Sequence, residues 1–394
     1  MSDDLLLTFN AGSSSVKIGL FARSAEGPGR IGKGVIDFRS HPPTFHLTEG
    51  PASFDAQLEA HEGDDLRDVL TEAFGRLSEH FDIGGVTAVG HRVVHGGDAF
   101  GGPARVDDEA LAAIDALTAL APLHQPQSLR LIRAIRALRP ELPQTASFDT
   151  AFHRTNAEVV RRFAIPRALH DEGVKRYGFH GLSYKFIAGE LARRAPQAAQ
   201  GRVVVAHLGS GASLCALEGG VSRDSSMGFS TLDGIPMATR CGALDPGVIL
   251  HLLGQMGRTR EEVEDILYHR SGLLGVSGIS ADSRDLLASD RPEAAEALDL
   301  FAFRIVGEVA RLAGTLGGLD AIVFTAGVGE NQPQVRARIA ERLGWLGLTL
   351  DGGANAANAG TINAQTSQVA AFVIATDEEQ VIADEAVSLL NRKD

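Results

Sequence analysis

Five short apolar runs constrain this chain more than any other feature: LLLTF at 5–9, VTAV at 86–89, VVVA at 203–206, AIVF at 321–324 and VAAFVIA at 369–375. Each is nearly continuous rather than alternating, so each is predicted to be a strand buried on both faces, in a central sheet covered by helices. Helical patterns lie between them, at 107–120, 127–138, 292–316 and 332–343. In the longest, Leu298, Phe301, Ile305, Val309 and Leu312 recur at spacings of three or four, with Pro292 at the start and Gly317-Gly318 after the end. The predicted class is α/β. A length of 394 residues suggests roughly two or three domains.

Composition removes several function classes. Hydrophobic residues make up 44% and charged residues 22%, enough apolar material for a core without disulfides. The formal net charge is -13, and no stretch concentrates base, so neither nucleic acid nor an anionic membrane is an expected partner. Cys215 and Cys241 are the only cysteines, as in a reducing cytoplasm. The start, MSDDLLLTFNAGSSS, has two Asp where a secretory leader needs positive charge. No run approaches the ~18 apolar residues of a membrane span. A cytoplasmic location is expected.

The strand tips are more informative than the strands. LLLTF leads into Asn10 and AGSSSVK, VTAV into His91 and Arg92, and the segment ending at Phe148 into Asp149. VVVA leads into HLGSGAS, AIVF into TAGVGEN and VAAFVIA into Thr376, Asp377 and Glu378. Ligands of open α/β sheets bind beyond the carboxyl ends of strands, so these tips are candidates for one site. FNAGSSSVKIGLF and HLGSGASLCAL are each strand, Gly/Ser turn and strand, a hint of duplicated halves whose backbone N–H groups suit phosphate oxygens. Taken singly, such a turn is an ordinary hairpin connection. Three at strand ends, with Lys17 and Arg92 nearby, favour phosphate. GxxxxGK[ST] is absent, and GSGASL and GVGENQ lack the third glycine of a dinucleotide fingerprint. TAGVGEN is expected as a turn leading into a helix near Gln332, whose N-terminus suits a nucleotide.

His91 and His95 sit four apart, but HRVVHGG continues an apolar strand, which argues against helical zinc ligation. His180, in the glycine-punctuated YGFHG, is the better candidate for chemistry.

FNAGSSSVK, HRVVHGG, APLHQP, FDTAFH, YGFHG, HLGSGAS, MATRCGALDP, GISADSRD, FTAGVGEN and TDEE occur in this order from Asn10 to Glu378. Together they resemble the signature segments of the acetate kinase family. The resemblance implies two lobes of duplicated sugar kinase/Hsp70/actin-like (ribonuclease H-like) topology around a nucleotide cleft. An N-terminal lobe is expected at 1–150, with a C-terminal helix 381–394 packing back on it, and a C-terminal nucleotide-binding lobe at 151–380. It also implies reversible phosphoryl transfer from ATP to acetate, giving acetyl phosphate and ADP, with Mg²⁺ (Mn²⁺ as an alternative) and a homodimeric state.

By the same resemblance, Arg92 binds the substrate carboxylate, His180 hydrogen-bonds the transferring phosphoryl group and Arg240 stabilises its equatorial oxygens. Asn10 and Glu378 match the metal positions. Lys17 and the turn His207, Leu208, Gly209, Ser210 and Gly211 match phosphate-binding positions. Asp282, Ser283 and Arg284, with Gly327, Val328, Gly329, Glu330 and Asn331, match the adenosine side. Asp149 matches a residue described in the family as an acid/base group; because the nucleophile is already ionised, it is assigned here to placing Mg²⁺ and the arginines. Val94, Leu123 and Phe179, with Thr231 beside them, match the small apolar pocket that limits acyl length. Ser210 replaces the family's usual Asn and Thr231 its common Pro. A propionate or other short-chain acyl kinase is the alternative within the enzyme class. An ATP-binding chaperone or actin-like protein is the alternative from another class, and a dinucleotide-dependent oxidoreductase a weaker one.

Overall fold

The computed structural model describes residues 4–12, 15–38, 40, 42–59 and 66–392. Ser13 and Ser14 of the first Gly/Ser turn lie outside them. The chain divides into two compact units: Met1–Phe152 with Asp377–Asp394, and His153–Thr376.

The first unit contains β1 (Leu5–Ala11), β2 (Ser15–Ser24), β3 (Gly27–Asp37), β4 (Thr44–Glu49), β5 (Ala52–Gln57), β6 (Val86–Val93), β7 (Ala104–Arg105) and β8 (Gln144–Phe148). Among the described residues these form one sheet in the order β5-β4-β3-β2-β1-β6-β8-β7. β1, β2 and β3 are antiparallel neighbours, whereas β6 runs parallel to β1 and β8 parallel to β6.

The geometry of β1 accounts for its unbroken apolar run. Leu5, Leu7 and Phe9 share a core with Val69, Leu70 and Ala73 of helix Leu66–Ser78 and with Leu131 and Ile135 of helix Gln125–Leu138. Leu6 turns to the opposite face and packs with Phe21, Ala88, Ala383 and Ala386, the last two on helix Glu378–Leu390. Alternate residues of one strand thus serve two cores, with buried Thr8 a polar exception whose hydroxyl donates to the Gly19 carbonyl. Gly90 belongs to the same fit, since a Cβ there would lie 2.6 Å from Ile382 Cγ2.

The second unit contains β9 (Arg202–Leu208), β10 (Ala212–Glu218), β11 (Val221–Ser225), β12 (Ala321–Thr325) and β13 (Ala370–Val373), in the order β11-β10-β9-β12-β13. β9, β10 and β11 form an antiparallel meander, and β12 and β13 run parallel to β9. β3-β2-β1-β6-β8 of the first unit repeats this arrangement strand for strand, so the duplication read from the two hairpins extends to five strands of each sheet. The stripe predicted on helix Pro292–Leu316 is buried at all five positions, Leu298, Phe301, Ile305, Val309 and Leu312.

Three elements depart from expectation. The 107–120 helix ends at Ala116 and tightens into a 3-10 turn over Leu117–Leu120. β6 ends at Val93, so His95 follows the strand instead of continuing it. TAGVGEN is not a turn: Ala326–Asn331 is itself a short helix, followed by helix Pro333–Arg342. The Glu330 carboxylate reaches back to the Ala326 N–H at 2.7 Å, satisfying a donor that a glycine loop would have left open. Pro333, without an N–H, separates the two helices. No helix among the described residues is long and apolar enough to cross a membrane.

Candidate active site

In the first unit the tips of β1, β6 and β8 join in one hydrogen-bonded chain. Arg92 forks onto Asp149, with Nη2 2.6 Å from Oδ2 and Nε 3.2 Å from both oxygens. Its Nη1 donates to Asn10 Oδ1 at 3.1 Å and to the Ala11 carbonyl at 3.3 Å. Asn10 Nδ2 donates in turn to Glu378 Oε2 and Glu379 Oε1, each at 2.8 Å. Burial pulls the Arg92 pKa down, but Asp149, Glu378 and Glu379 outweigh it and hold the value raised, so the guanidinium stays charged. Lys17 is the register partner of Asn10 across the β1/β2 hairpin and is exposed.

Glu378 and Glu379, gathered by the Asn10 amide, bring hard oxygen donors together, the type Mg²⁺ takes alongside phosphate oxygens. Among the described residues no three His, Cys, Asp or Glu side chains cluster as a metal cage. Glu378 contributes a carboxylate and Asn10 holds it in place, a donor set of the kind suited to an ion that also takes phosphate oxygens. Val94 is buried just past β6, whereas Leu123 is 37% exposed; Phe179, expected as their companion, is buried in the second unit.

The second unit centres on two histidines. His180 precedes helix Gly181–Arg194 in a left-handed conformation, φ 56°, one of three such non-glycine residues among those described. A backbone of this kind costs about 1 to 3 kcal/mol and persists where its surroundings hold it. They do so here: Nδ1 lies 2.7 Å from Ser213 Oγ, which also bonds the Tyr184 hydroxyl. The His180 ring stacks on His207, centroids 4.4 Å and planes 18° apart. His207 is anchored in the same manner, its Nδ1 2.8 Å from Ser183 Oγ, itself 2.8 Å from Thr376 Oγ1.

Held through Nδ1, both rings present Nε2 to the turn between β9 and β10. A Cβ on Gly209 would lie 3.6 Å from His207 Nε2, and one on Gly211 3.6 Å from His180 Nε2. Arg240 reaches the same turn, with Nη2 3.3 Å from the Gly211 Cβ position and Nη1 donating to the carbonyl of buried Thr231 at 3.0 Å. Ser210 is exposed, and its carbonyl accepts the Ala238 N–H at 3.2 Å. An arginine and an imidazole converging on a glycine turn suit the oxygens of a phosphoryl anion.

The two segments expected on the adenosine side are also joined. Asp282 accepts from the Arg284 N–H at 2.8 Å and pairs with its exposed guanidinium. Ser283 is buried, and its Oγ accepts from Gln332 Nε2 at 2.7 Å, directly after Gly327–Asn331. There the Gly327 carbonyl accepts from Asn331 Nδ2, and the Gly329 and Glu330 carbonyls accept from buried Arg336. Val328 is half-buried. Glu330 is engaged by the Ala326 and Thr376 N–H groups, so its carboxylate fastens the segment to the chain before Asp377.

Sequence reasoning passed over several neighbours of these residues. Glu379 carried a signal as the second acid of TDEE. His153 closes FDTAFH, and its Nε2 donates to the Phe179 carbonyl at 2.9 Å, fixing the backbone before His180. Ser213 closes HLGSGAS, whereas Ser183 and Tyr184 carried no signal, because hydroxyls at such spacings are common.

The Acetokinase family model matches residues 5–384. An acetate kinase of Rhodopseudomonas palustris is 50% identical over 387 residues, spanning 96% of this chain and 97% of that protein. Among solved structures, a propionate kinase from Francisella tularensis subsp. tularensis SCHU S4 is 35% identical with a TM-score of 0.90, covering 97% of this chain and 98% of that one. Porphyromonas gingivalis acetate kinase is 31% identical with a TM-score of 0.85, covering 98% and 100%. Both α/β units have the sugar kinase/Hsp70/actin fold, and neither a chaperone nor a dinucleotide enzyme is favoured. With its ordered motifs, repeated sheet topology and half-identity to a full-length relative, the chain belongs to the acetokinase family.

Proposed function

We propose that this chain is an ATP:acetate phosphotransferase, moving the γ-phosphoryl group of ATP to acetate reversibly and giving acetyl phosphate and ADP. The convergence of His180 Nε2 and Arg240 Nη2 on Gly211, in a chain half-identical to an acetate kinase, supports this most directly. A carboxylic acid with a pKa of ~4 is ionised at neutral pH, so the nucleophile needs no base. Its oxygen attacks the γ-phosphorus in line while the bond to the β–γ bridging oxygen breaks and ADP departs. What remains is to align two anions and neutralise the charge spreading over the phosphoryl oxygens.

Arg240 takes the equatorial oxygens, for which its planar fork is suited, and His180 donates to the same group. Arg92 binds the acetate carboxylate, with Asp149 fixing its orientation. Lys17 and the turn His207–Gly211 bind phosphates, and Asp282–Arg284 with Gly327–Asn331 receive the adenosine. Asn10 and Glu378, joined by Glu379, would hold Mg²⁺ (or Mn²⁺), which when bound neutralises charge on the nucleotide phosphates. Val94, Leu123, Phe179 and Thr231 limit the acyl chain. We further propose a cytoplasmic homodimer. Unpaired Cys215 and Cys241 agree with a reducing compartment, and helix Pro246–Gly254 leaves Val248, Leu250 and Leu253 exposed.

The test is to supply ATP, Mg²⁺ and a panel of C2 to C4 carboxylates and to trap acyl phosphate as hydroxamate. Acetate is expected to give the best product, and no product with any acid would refute the reading. Thr231, and the propionate kinase among the similar structures, single out propionate as the acid to compare; a clear preference for it would move the assignment.

A further inference from the structure

We propose that Ser213 is a positioning residue that fixes the tautomer of His180, with Tyr184 setting the direction of the Ser213 proton. The proposal rests on His180 acting on the phosphoryl group, as above. A neutral imidazole carries one N–H, and the hydrogen bond made at one ring nitrogen decides which nitrogen bears it. His180 Nδ1 meets Ser213 Oγ at 2.7 Å, and that oxygen also bonds Tyr184. A phenol is the stronger donor, so Tyr184 donates to Ser213 and Ser213 donates its single proton to Nδ1.

The proton of His180 then sits on Nε2, the atom that approaches Gly211 alongside Arg240 Nη2. There it donates to a phosphoryl oxygen. The other tautomer would set a lone pair against that oxygen. Stacking on His207 restrains the ring, which leaves the proton's position, more than the ring's, for Ser213 to determine. Ser213 and Tyr184 are fully buried, so water does not replace the serine hydroxyl when it is removed.

The experiment measures kcat, KM and their pH dependence for wild type, Ser213→Ala, Ser213→Thr and Tyr184→Phe, together with ¹⁵N NMR of His180. Ser213→Ala is expected to lower kcat by about 10-fold to 100-fold, the usual scale for an orienting partner, with KM for ATP and acetate little changed. Its kcat should also fall as pH rises through about 6 to 8, because only the imidazolium then guarantees an Nε2 proton, while wild type stays flat. Ser213→Thr should restore both, and Tyr184→Phe should shift the profile in the same sense by less. A wild-type-like pH profile in both Ser213→Ala and Tyr184→Phe would overturn the proposal, whatever the loss in rate. If wild type forms no acyl phosphate, the functional reading fails. The NMR still decides the tautomer: an Nε2–H form in wild type that becomes mixed in Ser213→Ala supports the proposal, and an unchanged spectrum overturns it.

Discussion

Arg92 and Asp149 form a two-pronged ion pair in which the carboxylate is wholly buried and the closest contact, Nη2 to Oδ2, is 2.6 Å. Removing one partner of such a pair leaves the other charge uncompensated, at a cost of about 3 to 5 kcal/mol. Asp149→Ala should therefore lower the melting temperature and raise KM for acetate, since Arg92 loses its orientation. In a double-mutant cycle with Arg92→Ala the effects on acetate KM should be strongly non-additive. Additive effects, with a loss of kcat that depends on pH, would instead make Asp149 an acid/base group.

Arg240→Ala should reduce kcat by about 10³-fold to 10⁵-fold, on the scale of other arginines that act on transferring phosphoryl groups. Affinity for ATP, measured by isothermal titration, should change far less. The reverse pattern would show that Arg240 mainly binds the ground state. Arg240→Lys should not rescue activity, because a point charge cannot span two oxygens.

Gly211→Ala tests the turn itself. The added methyl meets Arg240 Nη2 at 3.3 Å and His180 Nε2 at 3.6 Å, in the space assigned to phosphate oxygens. Folding should be preserved, as judged by circular dichroism and melting temperature, while turnover drops. Unaltered turnover would mean that the phosphoryl group lies elsewhere.

The carboxylates facing Asn10 should differ in weight. Glu378→Gln is expected to raise the Mg²⁺ concentration needed for half-maximal activity about tenfold or more, and Glu379→Gln to raise it less, by loosening Asn10. Equal Mg²⁺ curves for wild type and both variants would remove the metal role.

Acid should destabilise the fold through three histidines. Burial, opposed in part by a Gln144 hydrogen bond at His91, by the charge of Asp98 at His95 and by the Phe179 carbonyl and the charge of Asp224 at His153, lowers each pKa from 6.5 to about 4. Between those values the unfolded chain binds more protons than the folded one, so this stabilisation is complete above pH 6.5 and fades as pH falls toward 4. Each group contributes up to about 3 kcal/mol. The melting temperature should drop steadily from pH 7 to pH 5, and His91→Gln should flatten the slope; an unchanged slope would exclude His91 as a source.

How much was legible beforehand follows from where each residue sits. The Leu5–Phe9 run announced its strand because both faces are buried, whereas β5, whose residues are nearly all exposed, carried no apolar pattern to read. Arg92, His180 and Arg240 were legible through ordered motifs and glycine punctuation. The Arg92–Asp149 pair joins residues 57 apart, which no local periodicity reports. Helix Ala326–Asn331 was hidden by its two glycines, and the Glu330 side chain steadies its start by accepting from the Thr325 hydroxyl and the Ala326 N–H. The left-handed backbone of His180 gave no warning, since few non-glycine residues adopt it.

Helix Glu378–Leu390 lies against β1, β2, β3, β6 and β8 although the whole of His153–Thr376 separates it from them in the chain. On the ribosome the whole sequence of the second unit is therefore synthesised while the first still exposes Leu6, Phe21 and Ala88, the face that Ala383 and Ala386 will cover. The unit made first is finished last, and a nascent chain stalled before Leu390 carries an uncovered sheet for chaperones to recognise.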